Sequence, residues 1–280
     1  MTAQEKAARF RALHDGPGTF VIPNPWDAGT ARILATLGFP ALATTSAGLA
    51  FSRGLPDAAV PLALALEHLR EIAAATSLPV NADFQAGYGL DPGEVGRSVR
   101  RCLDTGVAGL SVEDASGDPR EPLFAFDVAV ERVRAARAAI DAAGSGAVLT
   151  GRSEGFIVGR PDLEETIRRL RAYGHAGADC LYAPGLRTRE EIAAVVGGVA
   201  PTPVNVLVAA DVGLTVADLA ALGVRRVSVG SALARVAWTA FIRAAATIAG
   251  EGRFTGFAWL TSYAELEAFF RQDLARRGGA

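Results

Sequence analysis

The chain is poor in the residues that build disulfide frameworks, zinc sites and imidazole catalysts. Its 280 residues include two cysteines and three histidines. We expect Cys102 and Cys180, which lie far apart in the sequence, to be buried free thiols. His14 and His68 fall in helical segments and His175 at the end of one. A zinc site or a histidine acid–base catalyst is therefore not expected, because none of the three would lie at the carboxyl end of a strand.

The chain also lacks a strong charge and a long apolar run. Its formal net charge is −2 and its pI is near 6.0, and a single lysine, Lys6, accompanies scattered arginines. A nucleic-acid partner would require a basic face that this balance does not supply. The amino terminus is charged and has no apolar leader, and no unbroken apolar stretch approaches about 20 residues. We therefore expect a cytoplasmic protein with no nucleic-acid and no membrane partner.

The dominant pattern is an alternation of short apolar runs with helical segments rich in Ala, Leu and Arg. Unbroken apolar runs of this length are typical of parallel strands buried on both faces. Eight are found, at residues 19–24, 40–45, 79–83, 109–114, 147–152, 179–184, 203–208 and 225–230. Helices are predicted between and after them at residues 27–37, 61–76, 92–105, 126–143, 162–176, 189–196, 216–221 and 231–248.

Eight strand–helix units predict a (β/α)₈ barrel, the TIM barrel of α/β proteins, as one domain over residues 1–280. A doubly wound sheet is disfavoured because the first run continues into "NPWDAGTA" rather than a glycine-rich phosphate loop. Residues 1–17 are predicted to form an amino-terminal helix, and residues 250–280 a helical extension. The apolar face of that extension (Leu266, Phe269, Phe270 and Leu274) must cover its own barrel or a neighbouring subunit's.

Catalytic groups of such barrels lie where the strands end. Asp83 and Glu113 follow neighbouring predicted strands, and two adjacent carboxylates repel unless a proton or a cation lies between them. Oxygen ligands of this kind suit Mg²⁺. Each acid could instead cap the helix that follows it.

Two further features accompany this pair. Arg152 ends an apolar strand and could bind a substrate carboxylate, or form a structural ion pair with Glu113 or Glu154. The loop "TTSAGLAFSRGLPD", at residues 44–57, could offer backbone amides to carboxylate or phosphate oxygens, or be a flexible connection. Asp57, at its end, could reach the metal or cap the next helix.

Five segments together resemble the isocitrate lyase / phosphoenolpyruvate mutase superfamily over residues 20–240. They are "NPWDAGTARIL…GFPALATTSAGLAFSRGLPD", "PVNADFQAGYG", "GLSVEDASGDP", "TGRSEGFIVGRPDLEETIRRLRAYGHAGADCLYAPGL" and "RRVSVGSALAR". The resemblance implies a Mg²⁺-dependent barrel, with Mn²⁺ as an alternative metal. Its substrate would be a small 2-oxo or 2-hydroxy carboxylate, cleaved through an enolate. It also implies a homodimer or homotetramer that exchanges the last helix.

The resemblance assigns roles residue by residue. Ser46, Ala47 and Gly48 match the loop that holds the substrate's carboxylate and oxo oxygens. Asp83 and Glu113 match metal-site acids, Arg152 the substrate arginine and Asp57 an acid at the edge of the metal site. The full expectation is a set of catalytic, substrate-binding and metal residues: Arg152, Asp57 and Glu113; Ser46, Ala47, Gly48, Asn81, Asn205 and Arg152; Asp83 and Glu113.

The chain departs from the superfamily pattern in two places. Asn81 and Gln85 stand where acidic residues are usual, so the site is less anionic. The segment "EDASGDPREPLFAFD" replaces the mobile loop that carries the acid cysteine of isocitrate lyases, and it lacks the Lys and Asn of the phosphonopyruvate-type loop. The sequence therefore predicts a carbon–carbon lyase or decarboxylase for an oxaloacetate-like diacid. A binding barrel without turnover and a phosphonate mutase or hydrolase are the alternatives.

Overall fold

Eight parallel strands form one sheet in the computed structural model, which describes residues 1–278. Their order is β1-β8-β7-β6-β5-β4-β3-β2, so consecutive strands from β2 to β8 pair with each other and β1 pairs with β8. The strands are β1 Phe20–Ile22, β2 Leu42–Ala43, β3 Val80–Asp83, β4 Gly109–Glu113, β5 Val148–Arg152, β6 Cys180–Tyr182, β7 Val204–Leu207 and β8 Arg226–Ser228. All eight predicted runs are therefore strands.

Hydrogen bonds around Asn24 close the seam between β1 and β2. The Ala43 amide donates to the Pro23 carbonyl at 3.1 Å, and Asn24 Nδ2 donates to the Thr44 carbonyl at 2.8 Å. Asn24 Oδ1 accepts from the amides of Val229 and Gly230, just beyond β8. One buried side chain thus ties β1 to β2 and to β8 at the carboxyl end of the barrel, and the predicted (β/α)₈ fold is confirmed.

Helices separate the strands as predicted. The one over residues 162–176 illustrates why: Asp162 accepts the Glu165 amide at 2.9 Å, and acidic residues occupy the first turn of a helix whose basic residues come later. The helices are α1 Ala3–Asp15, α2 Ala28–Thr36, α3 Ser46–Ser52, α4 Leu62–Ala75, α5 Pro92–Leu103, α6 Phe126–Ala142, α7 Leu163–His175, α8 Arg189–Val199, α9 Val216–Ala221, α10 Ala232–Glu251 and α11 Tyr263–Gly278, with 3₁₀ turns at Asp57–Ala59 and Thr255–Phe257.

The segment after β2 is a helix, where the sequence left open a flexible loop. Thr45 caps it by accepting the Gly48 amide at 3.2 Å. The carboxylate of Asp83 accepts the Ser46 amide at 2.9 Å, which places negative charge at the positive end of the helix. The segment orders because these two acceptors satisfy amides that a flexible loop would expose to water.

Helix α1 covers the amino-terminal end of the barrel, opposite the strand ends that carry Asp83 and Arg152. Phe10 is fully buried in one cluster with Phe20, Ile22 and Val148. A Cβ on Gly109 would lie 2.9 Å from the Phe10 ring, so the glycine permits this close approach. The amino-terminal helix predicted at residues 1–17 corresponds to α1.

The chain divides into two compact units, residues 1–232 and a second that begins at Leu233. In the second unit the large apolar side chains Val236, Phe241 and Ile242 are 59% to 67% exposed. Helix α10 is long and apolar enough to cross a bilayer by length and composition alone, with a mean hydropathy of 1.3. Arg235 and Arg243 interrupt the helix, so it is not an unbroken apolar run, and the absence of a membrane partner stays a prediction.

Candidate active site

A cavity of about 160 Å³ opens where the strands of the barrel end. Most of the predicted site residues line it: Ser46, Ala47, Asp57, Asn81, Asp83, Arg152 and Asn205. Gly48 and Glu113, both within the described chain, do not. Gly48 is buried in α3 with its amide bonded to Thr45, whereas Glu113 contacts Arg152. The barrel thus brings together residues that are up to 159 positions apart in the chain, from Ser46 to Asn205.

The two-residue period of a strand decides which side chains enter the cavity. Asn81 and Asp83 on β3 lie on the same face of their strand, as do Thr150 and Arg152 on β5, because every second residue faces the same way. Asn81 lies one layer deeper than Asp83. Its buried Oδ1 is among the few such atoms in the described chain without a hydrogen-bond partner.

Arg152 lies at the centre of a charged cluster. Its Nη1 is 3.2 Å from Asp83 Oδ1 and 3.3 Å from Glu113 Oε2, and its Nε donates to Glu154. The Tyr182 ring lies under the guanidinium, with its centroid 4.9 Å from the central carbon. The structural ion pairs that the sequence offered as an alternative are therefore present, and three carboxylates surround one cation.

The cluster carries more negative than positive charge. Burial raises the pKa of Glu113 and of Glu154, and Arg152 only partly opposes that effect. Burial also raises the pKa of Asp57, and the neighbouring charge of Asp83 raises it further. A divalent cation bound among these carboxylates would offset both the repulsion between them and the free-energy cost of burying their charged forms.

Asp83 and Asp57 are linked through Ser46 and Gln85. Asp83 Oδ2 accepts from the amide and the hydroxyl of Ser46, at 2.9 and 3.0 Å. Gln85 Nε2 donates to Asp57 Oδ1 at 3.0 Å, a contact that a glutamate at position 85 would turn into a repulsion. Gln85 holds this position with a left-handed backbone, at a φ of 46°. Asp57 thus reaches the cluster rather than capping α4, whose N-cap is Pro61.

The helix-capping alternative for the two acids is wrong. Asp91 caps α5, the helix after Asp83, and Ala125 precedes α6, the helix after Glu113, without a side-chain cap. Asp83 does accept the first amide of a helix, but that helix is α3, which comes before β3 in the chain. Its carboxylate therefore joins two neighbouring βα units at the rim of the cavity.

The donor set fits a hydrated Mg²⁺ and does not fit zinc. Asp83 and Glu113 both contact one nitrogen of Arg152, so they face a common point with carboxylate oxygens, the ligands Mg²⁺ prefers. The described residues contain no group of three or more His, Cys, Asp or Glu side chains arranged to hold a metal. Few protein ligands, with water in the remaining positions, is the usual arrangement for Mg²⁺.

Asp114, next to Glu113 in the chain, faces away from the cavity and fixes the loop after β5. Its Oδ2 accepts from Tyr173 Oη at 2.6 Å and from Arg169 Nη1 at 3.2 Å, and its Oδ1 accepts the Glu154 amide at 2.7 Å. This network holds Glu154, whose carboxylate accepts from the Arg152 guanidinium. Asp114 is therefore a positioning residue behind the site.

The phosphoenolpyruvate phosphomutase family model matches residues 10–249. The chain belongs to this family. An oxaloacetate decarboxylase from Bradyrhizobium diazoefficiens is 32% identical over 211 residues, which are 70% of this chain and 68% of the relative. A structure from Burkholderia cenocepacia J2315, described only as that of a lyase/mutase, is 48% identical with a TM-score of 0.92, and 96% of each chain is covered.

Two further family structures contain bound molecules. Oxaloacetate acetylhydrolase in complex with its product oxalate is 27% identical, with a TM-score of 0.85 and 99% of each chain covered. Phosphonopyruvate hydrolase in complex with oxalate and Mg²⁺ is 28% identical, with a TM-score of 0.85 and 99% and 98% of the two chains covered. The family is therefore one of Mg²⁺-dependent lyases and mutases, including enzymes of oxaloacetate.

The cavity lining also includes residues outside the predicted site set. Tyr182, Ser228 and Arg226 line the cavity, and Arg226, which is 2% exposed, crosses the barrel interior. Their signal is the strand period: Arg226 lies two residues before Ser228, so both face inward. Tyr182 and Ser228 end their strands, where catalytic groups are expected, whereas Arg226 begins β8, where an arginine resembles a surface residue.

The negative predictions for the scarce residues agree with the structure. Cys102 and Cys180 are free and buried. His14 is buried on α1 at the opposite end of the barrel, with its Nδ1 2.8 Å from the Phe10 carbonyl. His68 is buried in α4, and neither it nor His175 lines the cavity. Within the described residues, the cavity lining contains no histidine and no cysteine.

Proposed function

We propose that this chain is a Mg²⁺-dependent carbon–carbon lyase or decarboxylase acting on a small 2-oxo or 2-hydroxy carboxylate, such as an oxaloacetate-like diacid, through an enolate. The observation that carries the proposal is the shared contact of Asp83 and Glu113 with Arg152 at the rim of a polar cavity. In this proposal the two acids hold the metal beside a fixed cation. Both positive charges stabilise an enolate next to a carboxylate.

Asp83 and Glu113 are the residues that would hold Mg²⁺, with Mn²⁺ as an alternative, and Asp57 lies at the edge of their site. When bound, the metal supplies Lewis-acid polarisation of the substrate's oxo oxygen. The guanidinium of Arg152 presents N–H groups to the substrate carboxylate, while Glu154 and Tyr182 hold its plane. Arg152 also stabilises the negative charge that develops when the bond breaks.

Helix α3 supplies the remaining contacts on the rim. The Ser46 amide is committed to Asp83 and the Gly48 amide to Thr45, which leaves Ala47 as the amide of that triplet for substrate oxygens. Asn81 and Asn205 present side-chain amides in the cavity lining. In decarboxylation, the bond between C3 and its carboxylate breaks, CO₂ leaves, and the electron pair enters the enolate.

A screen of 2-oxo diacids with Mg²⁺ tests the proposal. Oxaloacetate is expected to give CO₂ and pyruvate, and Arg152→Ala or Asp83→Ala should lower the rate at least about 100-fold, as loss of a charge-stabilising group does. Arg187→Ala, at an exposed position, is the matched control. An inactive wild type would contradict the activity, and two fully active site variants would contradict the site. Tight oxo-acid binding in calorimetry without product would instead identify a binding protein.

A phosphonate reaction is the second candidate, favoured by the 28% identity to phosphonopyruvate hydrolase over almost the whole chain. The segment after β4 argues against it, since residues 115–125 contain no lysine or asparagine. Phosphorus NMR of phosphonopyruvate incubated with the protein and Mg²⁺ separates the two. Release of inorganic phosphate or formation of a phosphate ester would overturn the oxo-diacid proposal.

We also propose a cytoplasmic homodimer or homotetramer that exchanges the carboxyl-terminal helix. Its support is the exposure of Val236, Phe241 and Ile242 in the second unit, an apolar surface of the kind that marks an interface. Light scattering after gel filtration should give a dimer or tetramer for the wild type and a smaller species for Phe241→Asp. A monomeric wild type would contradict the proposal.

A further inference from the structure

The enolate in the proposed reaction needs a proton, and the usual donors are absent from the cavity lining. Within the described chain no histidine, cysteine or lysine lines it. The lining contains two aspartates, two arginines, one tyrosine and several neutral amide or hydroxyl groups. A donor must be among these groups or be water from the cavity.

The aspartates and arginines are poor donors here. Asp83 accepts from Ser46 and from Arg152, contacts that favour its ionised form. Asp57 accepts from Gln85, and although burial raises its pKa, a divalent cation bound at the adjacent proposed metal site would keep it ionised. An arginine holds its proton at every pH at which a protein is folded. Tyr182 remains, with a phenol that is more acidic than the serine and threonine hydroxyls around it.

A directed chain of hydrogen bonds ends at Ser228, which lines the cavity together with Tyr182. Arg226 Nε donates to Asn205 Oδ1 at 2.9 Å, and Asn205 Nδ2 donates to Ser228 Oγ at 3.0 Å. Ser228 therefore has its own O–H left to donate, and its side chain acts to lower the pKa of the Tyr182 phenol. The phenol itself lines the cavity.

The start of the chain is a buried cation without a carboxylate partner. The other partners of Arg226 are His14 Nε2 at 3.1 Å and Thr150 Oγ1 at 3.0 Å, both neutral acceptors. Hydrogen bonds in series polarise one another, most strongly when a charge begins the series. The Arg152 guanidinium over the Tyr182 ring adds a second positive charge near the developing phenolate. Burial raises the pKa of the Tyr182 phenol, so it keeps its proton until an enolate is present, and Arg152 and Ser228 partly oppose that rise.

We propose that the phenol of Tyr182 is the proton donor that converts the enolate into the keto product, and that Arg226, Asn205 and Ser228 position and polarise it. The inference rests on the proposed decarboxylation. The Tyr182 O–H bond breaks as the new C3–H bond forms, and the enolate electron pair becomes that bond. The phenolate takes a proton from cavity water before the next turnover.

The test compares CO₂ release with the appearance of keto-pyruvate from oxaloacetate, the latter read by reduction with lactate dehydrogenase, which accepts the keto form. In the wild type the two time courses should coincide. Tyr182→Phe should still release CO₂, but free enol should leave the site and keto-pyruvate should lag behind. Added phosphate or imidazole buffer, as an external acid, should shorten that lag. A purely structural role would slow both products equally and give no lag.

Two further variants complete the test. Tyr263→Phe, at a position 83% exposed, is the matched control and should show no lag. Ser228→Ala keeps the phenol but removes the hydroxyl that polarises it, so we expect a lag shorter than the one predicted for Tyr182→Phe. This variant also tests the proposal if Tyr182→Phe does not fold. Coincident time courses in both cavity variants, or a lag in the wild type, would overturn Tyr182 as the donor while leaving the decarboxylase proposal intact. A wild type that releases no CO₂ would overturn both.

Discussion

Arg152 and Asp83 lie 3.2 Å apart although β4 separates their strands in the sheet. The contact is possible because Arg152 is long enough to cross the face of β4, where it also meets Glu113. The same arginine is held from outside the cavity by Glu154, which Asp114 fixes in place. Its position therefore depends on three strands and a loop, and each can be tested separately.

Replacing Arg152 with lysine should reduce activity despite the retained charge. A single ammonium cannot hold Asp83, Glu113 and Glu154 together and also present an N–H group to a substrate carboxylate. We expect kcat/KM on oxaloacetate to fall about 100- to 1,000-fold, as for loss of a preorganised donor. Arg187→Lys, on the exposed surface, should match the wild type. Unchanged kcat/KM in Arg152→Lys would show that the fork of donors is not used.

Mg²⁺ should stabilise the folded protein, independently of turnover. A ligand bound only by the native state adds about 2.7 kcal/mol at 100 times its Kd, so the melting temperature should rise with Mg²⁺ and fall back with a chelator. Asp83→Asn should abolish the rise. Asp104→Asn, whose carboxylate is exposed, should keep it. An equal rise in both variants would mean that the metal binds elsewhere.

Asp114→Asn should be among the most destabilising conservative changes in the barrel. It removes a buried carboxylate that accepts from Tyr173, Arg169 and the Glu154 amide, and leaves Arg169 without that partner. We expect about 3–5 kcal/mol less free energy of unfolding in urea. Asp118→Asn, at an exposed position, should change it by less than about 0.5 kcal/mol. A loss below 1 kcal/mol would show that the network is not a major support of the fold.

The protein should lose stability as pH falls below about 6.5, partly through His14. Burial, and then the Arg226 charge, lower the pKa of His14 to about 3, while the unfolded chain titrates near 6.5. Between these values the unfolded state binds a proton that the native state does not, so acid favours unfolding. At pH 5 the cost is about 2 kcal/mol. This cost disappears above about pH 6.5, the pKa of His14 in the unfolded chain, and reaches its full size only below about pH 3.

Urea unfolding of His14→Gln at pH 5 and pH 7 checks this, because glutamine keeps an acceptor for Arg226 without titrating. The difference in unfolding free energy between the two pH values should shrink relative to the wild type. His68, whose pKa burial lowers to about 4, should account for part of what remains. An unaltered difference in His14→Gln would contradict the assignment.

Much of the site could be located from the sequence because strand ends are local features. Asp83, Glu113 and Arg152 each terminate an apolar run, and the strands of a parallel barrel all end on one side. The sequence did not predict the local conformation of the segment after β2 or how deeply Arg226 lies in the barrel. The segment after β2 was left as a possible loop because the acceptor that completes its helix, Asp83, lies 37 residues away from Ser46. The sequence does not show that Arg226 points into the barrel, because an arginine at the start of a strand can equally lie on the surface. Its hydrogen bond to Thr150 on β5 forms only in the folded barrel.

The sequence by itself determined the eight-fold alternation, the strand ends that carry the chemistry and the scarcity of histidine, cysteine and lysine there. These follow from residue type and spacing, which act over a few residues. Only the tertiary structure decided that one nitrogen of Arg152 contacts two acids, that Glu113 and Asp114 face opposite sides, and that a hydrogen-bond chain runs from Arg226 to Ser228 in the cavity lining. Those relationships depend on which strands lie side by side and how far each side chain reaches across the barrel. Closure of the sheet fixes both.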